Sequence, residues 1–564
     1  MTAGALSKVR SPGLRVPLTK ERLILRAVML GGLIVTIWAW RHIDMSLTRI
    51  FGGVADIGNL LAYMLPPSFG SFRNAITLTF ETLWMAIIGT FLAIVLSVPI
   101  AFGAARNTTP HPLVMAACRG VIVLSRAIPD LIFAAVFVRS LGIGVLPGVL
   151  ALAAHSIGMI GKLLADAIEQ ADPSPVEATR ATGARKWQVI TTSIIPQIVP
   201  SFISVALYRL DINLRSSAVL GLVGAGGVGF LLKKHLGQLE YDLALGVVIV
   251  VFIFISVMEA LSAVVRGTLL GRELNMGAPR HRVAFPGIIR FESFLARRSS
   301  VRQGDDVLVP WSIDRVRKIS YALTFALLLL LSFYFVNLGV GELFFAGPDL
   351  WNATMLLLPP DFTTARDAII KGMVESVAVA FVATALGAVI SIPLGFLAAR
   401  NIAANRLTTV ISRLVMLLLR GTPELIIAVI FVAAMGLGPV SGTFALVLGT
   451  AGFFGKLIAD AAEEIDPTPR EAVFATGASR LQEVATSVVP QVLPALVGNL
   501  LYVLDINLRV SAVLGIVGGG GIGFLLFNSL RVLQFQTTGA IIVSIFVVVY
   551  AIELLAGYVR RIIL

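Results

Sequence analysis

Apolar residues run along this chain in blocks long enough to cross a bilayer, which takes about 20 residues of helix. In the first half the blocks lie near 24–41, 76–104, 113–138, 145–168, 194–220 and 243–265. In the second they lie near 318–341, 371–398, 408–435, 439–462, 488–514 and 538–559. The pattern predicts an all-α integral membrane protein of about twelve transmembrane helices, six to each half. A basic stretch before the first block gives it the look of a signal peptide. The run Ala27–Trp40 ends, however, in Trp38, Trp40 and Arg41, an interfacial anchor rather than a small-x-small cleavage site, so it reads as a retained span.

The two sets of blocks are one unit written twice. A shift of 294 residues superposes Tyr208–Leu232 on Tyr502–Leu526 with 20 of 25 positions identical, and the register holds from about residue 80 to Arg266 and Arg560. An even number of spans per unit makes the repeats parallel, related by a pseudo-two-fold along the membrane normal, with a pathway expected between them. The expected division is 1–266 and 317–564 for the two membrane units, with a polar, Arg-rich linker at 267–316 broken by Pro279, Pro286 and Pro310.

Composition agrees with the pattern. Of the 564 residues, 57% are hydrophobic and 14% charged, with a mean hydropathy of +0.91. The net charge of +13 is concentrated at 1–26 and 266–318. The long loops 41–75 and 337–371 are poor in it, which is the positive-inside bias and places both termini and the linker in the cytoplasm. A nucleic-acid surface needs clustered Lys and Arg with aromatics, and none is found. The single cysteine, Cys118, excludes an internal disulfide.

Between the fourth and fifth blocks each half carries a compact polar loop, Asp172–Gly183 and Asp466–Gly477. Ser174 and Thr468 fit an N-cap, with Pro175 and Pro469 at N1 and Glu177 and Glu471 at N3 completing a capping box. Gly183 and Gly477 fit the C′ position, so each loop predicts a two-turn helix. Glu177-Ala178, Gly183 and Ile195-Pro196, with Glu471-Ala472, Gly477 and Val489-Pro490, resemble the EAA loop of ABC importer permeases. Thr179 and Val473 stand where that pattern has Ala. The resemblance implies a coupling helix that docks on an ATP-hydrolysing subunit.

Further motifs narrow the likeness. Ala-Ala-Arg-Asn at 104–107 and 398–401, Gly-Lys-Leu with Ala-Asp at 161–166 and 455–460, Asp-Ile-Asn-Leu-Arg at 211–215 and 505–509, and Pro-Pro at 66–67 and 359–360 look like the phosphonate permease family. That family implies a type I importer with its two permease copies fused, working with two ATP-binding subunits and one extracytoplasmic phosphonate- or phosphate-binding protein in a bacterial cell membrane. ATP and Mg would sit on the partner, and this chain would bind no cofactor.

Two motifs point elsewhere. Gly224, Gly226 and Gly229, like Gly518, Gly520 and Gly523, match the dinucleotide fingerprint letter for letter, but that motif needs a preceding strand. Here either a re-entrant segment near the outer mouth or close helix packing fits. Gly161-Lys162 and Gly455-Lys456 are followed by Leu, and no Gly lies five residues before them, so there is no Walker A loop. The five histidines are scattered and unrepeated, and no metal site is expected.

Charges inside spans are expensive and repeat here. Arg126 and Asp130 flank Pro129, and Arg420 and Glu424 flank Pro423. Asp211 and Arg215 recur as Asp505 and Arg509. Spacing of i, i+4 allows each pair to neutralise itself. Either these are structural ion pairs, or they line a polar pathway with Asn213 and Asn507, where Arg suits phosphate-like oxyanions. Glu259 and Glu553 are placed to pair with Arg266 and Arg560. The competing functions are a secondary transporter with parallel repeats, an ABC permease for another small solute, and a membrane-embedded enzyme.

Overall fold

The computed structural model describes residues 20–270, 313–338, 340–403 and 405–563, and these are helical with no strand among them. The linker expected at 267–316 falls almost wholly outside the described residues. The first half runs through α1 (Lys20–His42), α2 (Leu47–Met64), α3 (Phe72–Ala104), α4 (Pro112–Ala127), α5 (Asp130–Leu141) and α6 (Val145–Glu169). It continues with α7 (Pro173–Ala181), α8 (Lys186–Val189), α9 (Ile195–Leu220), α10 (Val228–Gly237) and α11 (Tyr241–Leu270). The second half repeats the series as α12 (Ile313–Val336), α13 (Val340–Leu356), α14 (Arg366–Ala398), α15 (Arg406–Gly421), α16 (Glu424–Met435) and α17 (Pro439–Glu463). It closes with α18 (Thr468–Ala475), α19 (Arg480–Glu483), α20 (Val489–Leu514), α21 (Ile522–Arg531) and α22 (Phe535–Ile563). Among the described residues, nine helices are long and apolar enough to cross a membrane, or eleven if each bent pair is one span. α1 adds a shorter apolar stretch, Ala27–His42.

The third span of each half is broken. Ile128 precedes a proline and takes an extended ψ of 119°, and Pro129 has no N–H to give the helix, so α4 and α5 meet at 91°. The Asp130 carboxylate then accepts from the Leu131 amide at the new N-terminus (2.9 Å). Pro423 bends α15 and α16 by 83° in the same way.

The loops 41–75 and 337–371 contain helices α2 and α13, where the sequence reading has only outer loops. Each half is a core of α3, α6 and α9 or of α14, α17 and α20, and the halves exchange their first spans. α1 packs on α14, with Ala39 and Ile43 buried among Ala378, Val379 and Val382, while α12 packs on α3. The last spans cross over too: α22 packs on α4 and α11 on α15. At that second crossing Gly421 permits the approach, since a Cβ there would lie 2.6 Å from the Phe252 ring.

The glycine-rich segments are turns that fold the chain back from α9 into α10 and from α20 into α21. Gly224, Gly226, Gly518 and Gly520 have φ between 76° and 96°, a region closed to most side chains. At Gly229 and Gly523 a Cβ would lie 2.6 and 2.4 Å from a carbonyl oxygen of the preceding helix. Glu81 accepts from the Gly227 amide (2.9 Å) and Glu375 from the Gly521 amide (3.1 Å), fixing each turn to the start of α3 or α14. A helix, not a strand, precedes each turn, so the dinucleotide geometry is absent.

Candidate functional site

Where the halves meet, they enclose a cavity of about 860 Å³. Arg126, Asp211, Arg215, Arg420, Asp505, Asn507 and Arg509 line it, together with Glu259 and Glu553. Asn213 does not. It is fully buried between α3, α6 and α9, donating to Thr90 (2.9 Å) and accepting from Ser156 (3.0 Å). Asn507 makes the matching bonds to Thr384 and Thr450 and also reaches the cavity. Val219 and Leu220 also line the cavity and belong to an apolar core shared by both halves that includes Val513 and Ile516.

The ion pairs differ from those the spacing suggests. Asp505–Arg509 forms as expected. Arg126 ignores Asp130, four residues on, and reaches Glu553 of the other half (2.6 Å). Arg420 reaches across to Glu259. Each glutamate also meets an arginine of its own half, Arg215–Glu259 at 2.8 Å and Arg509–Glu553 at 3.8 Å. Asp211 accepts from Ser262 (3.1 Å). The reason is the Pro129 and Pro423 bends, which turn α5 and α16 away and leave Arg126 and Arg420 facing the crossing last spans. Glu553 therefore pairs with Arg126 and Arg509 rather than with the expected Arg560, and the Arg266 side chain expected to meet Glu259 lies outside the described residues. Among the described residues the lining carries six bases and six acids, Lys162 and Arg560 included, so it is polar but balanced.

The loop helices form as predicted and are capped differently. Asp172 is the N-cap of α7 and accepts from the Ser174 amide, and Asp466, one residue before the N-cap Pro467 of α18, accepts from the Thr468 amide, both at 2.9 Å, so Ser174 and Thr468 are not the caps. Those amides hold both carboxyls below their usual range. Glu177 and Glu471 complete no capping box; with Ala178 and Ala472 they are exposed on the helices. Gly183 and Gly477 take φ of 80° and 79°, as a C′ residue should. α7 is held to the following turn by Thr179–Ser193 (2.6 Å). α18 is held by an Arg470–Glu483 ion pair, with Glu483 buried. Exposed apolar side chains flank both, Trp187 in the first half and Phe474 and Leu481 in the second.

Sequence reasoning missed how these helices join the spans. Asn107 donates to the Ile168 carbonyl (2.6 Å), and Glu169 accepts from the Arg106 amide and the Arg119 side chain (both 2.9 Å). Asn401, Arg400, Arg413 and Glu463 repeat the clamp. The repeated Ala-Ala-Arg-Asn motif thus ties the end of α3 to the end of α6, immediately before α7. Its recurrence in both halves was the available signal.

Two parallel helical repeats around one polar cavity, each with a short exposed helix clamped to its spans, define the membrane subunit of an ABC importer. Residues 97–269 and 391–563 each match the binding-protein-dependent transport system inner membrane component family, and the chain belongs to that family. A phosphate-import permease protein, PhnE, of Mycolicibacterium smegmatis is 45% identical over 93% of this chain and 92% of its own length. The phosphite transport system permease protein PtxC of Stutzerimonas stutzeri is 41% identical over 43% of this chain and 86% of its own. The MetNI methionine ABC transporter, in an inward-facing crystal form, aligns with a TM-score of 0.32 and 23% identity, covering 35% of this chain and 96% of that one. The chain is a fused, multi-pass double permease.

Proposed function

We propose that this chain forms the whole translocation pathway of an importer for phosphorus oxyanions, phosphonate, phosphate or phosphite, in a bacterial cytoplasmic membrane with both termini inside. The observation that carries the reading is the convergence of four arginines, two from each half, on one cavity whose acids balance them. Guanidinium forks match the planar edges of an oxyanion, and the balance keeps the route weakly binding. The names of the relatives point to the same cargo class.

One ATP-binding subunit docks on α7 and a second on α18, through Glu177, Ala178, Glu471 and Ala472 and the apolar residues beside them. Nucleotide and Mg reside on those subunits. A binding protein delivers the oxyanion to the outer face, where the glycine turns at Gly224–Gly229 and Gly518–Gly523 border the gate. Drawing the two ATP-binding subunits together moves α7 and α18 and, through the Glu169 and Glu463 clamps, rocks the halves. A secondary transporter is the weaker reading, because it gives two exposed, clamped helices no task.

The test is uptake of labelled phosphate by phosphate-starved cells with and without this gene, challenged with excess unlabelled alkylphosphonate. Gene-dependent uptake is expected, and competition by alkylphosphonate would make phosphonate a shared cargo. Absence of gene-dependent uptake would remove the oxyanion assignment.

A further inference from the structure

The four cavity arginines are arranged as two mirrored triads, each centred on a glutamate of a last span. Glu259 takes Arg215 of its own half and Arg420 of the other; Glu553 takes Arg509 of its own half and Arg126 of the other. Their side chains keep 17–27% of their surface exposed, so the triads are reachable from the cavity. Each guanidinium has five donors; Arg509 also holds Asp505, and its Nε is buried without a partner. Each carboxylate thus sits where one arginine from each half converges. The same two carboxylates join α22 to α4 and α11 to α15, so they also hold the halves together at the cavity.

We infer that Glu259 and Glu553 are resident anions that the cargo displaces. An entering oxyanion takes over the guanidinium donors, the two cross-half bridges open, and the halves gain the freedom to separate. When the cargo leaves, the carboxylates return to the arginines. Without the two glutamates the four arginines, balanced only in part by Asp211 and Asp505, would hold a dianion more tightly and slow transport; the internal competitor makes the site selective for anions yet easy to vacate. The glutamates thereby set specificity and position the arginines, and they need not touch the cargo.

This inference rests on the oxyanion reading above, and the experiment separates the two. Labelled inorganic phosphate is the probe, with the full chain purified alone for retention and co-expressed with its ATP-binding subunits and binding protein for uptake. Glu259→Gln with Glu553→Gln keeps side-chain size and removes two negative charges. The double variant is expected to retain phosphate at concentrations at least about tenfold lower than the parent chain, while uptake slows by a similar factor. The single variants, each keeping one bridge, should fall between and guard against misfolding of the double. Adding Arg126→Gln should reverse the gain in retention. If the parent chain imports phosphate and neither the single nor the double variants retain more of it, the displacement idea is overturned and the oxyanion reading stands. If the parent imports none, the oxyanion reading falls and this inference with it.

Discussion

Arg209 sits fully buried in α9 of the first half, where the matching residue of the second half is Val503. Its Nε donates to Ser156 (2.7 Å), and its Nη2 has no partner. Ser156 in turn donates to Asn213 (3.0 Å), so one hydroxyl satisfies two buried groups on which α6 and α9 depend. Ser156→Ala should destabilise the protein by about 1–3 kcal/mol, the usual cost of orphaning buried polar atoms, read as a lower melting temperature in detergent. Ser156→Thr, which restores the residue found at position 450, should be tolerated. At this scale the sequence was partly legible. It marked the charged residues of the cavity other than Lys162 because charges are rare in spans. It placed Asp505 with Arg509 correctly but assigned Arg126 and Arg420 the wrong partners, because i, i+4 spacing knows only its own helix, while these two answer to glutamates 427 and 161 residues away. Asn213 was read as lining because its motif contains charged neighbours, yet its helix face turns it inward.

The short helices show how two copies of one element reach the same shape by different chemistry. At positions 176 and 189 the first half has valines, and at the matching 470 and 483 the second has Arg and a buried Glu. Removing one member of such a pair leaves the other unpaired, whereas an apolar pair can replace it at little cost. Glu483→Val should therefore loosen α18 and reduce recovery of the ATP-binding subunit several-fold in co-purification. Arg470→Val with Glu483→Val, which copies the first half, should restore it. The caps predict a pH dependence of known sign. The carboxyls of Asp172 and Asp466 are lowered by the Ser174 and Thr468 amides. Their contribution is therefore present above the ordinary aspartate range and lost as pH falls through the lowered values. Hydrogen exchange at α7 and α18 should show fraying in acid but not at neutral pH, and Asp172→Ala with Asp466→Ala should fray both at neutral pH. The sequence predicted the two helices and their glycine ends. It chose the serine and threonine caps over the aspartates because a Pro at N1 follows both candidates, and chain pattern alone does not rank them.

For the whole molecule, duplication was legible because the second copy keeps its register over the conserved-length core of each half. The exchange of first spans was not, since α1 and α12 lie outside the matched stretch and carry no motif to name their partner. The exchange makes each half incomplete alone: α1 covers α14, and α12 covers α3. Residues 1–270 and 313–564 expressed as separate chains should therefore copurify when made together, and each should aggregate or be degraded when made alone. Recovery of either piece by itself as a stable, monodisperse species would contradict that interdependence.

The central claim is that exposed helices on one end of this permease drive oxyanions through the cavity between its halves. Its most direct test is labelled phosphate uptake by cells carrying the ATP-binding subunits and binding protein with either the natural chain or Glu177→Ala with Glu471→Ala. The account predicts uptake with the natural chain and a loss of at least about tenfold in the variant, at equal amounts of protein in the membrane. Undiminished uptake in the variant would contradict coupling through α7 and α18.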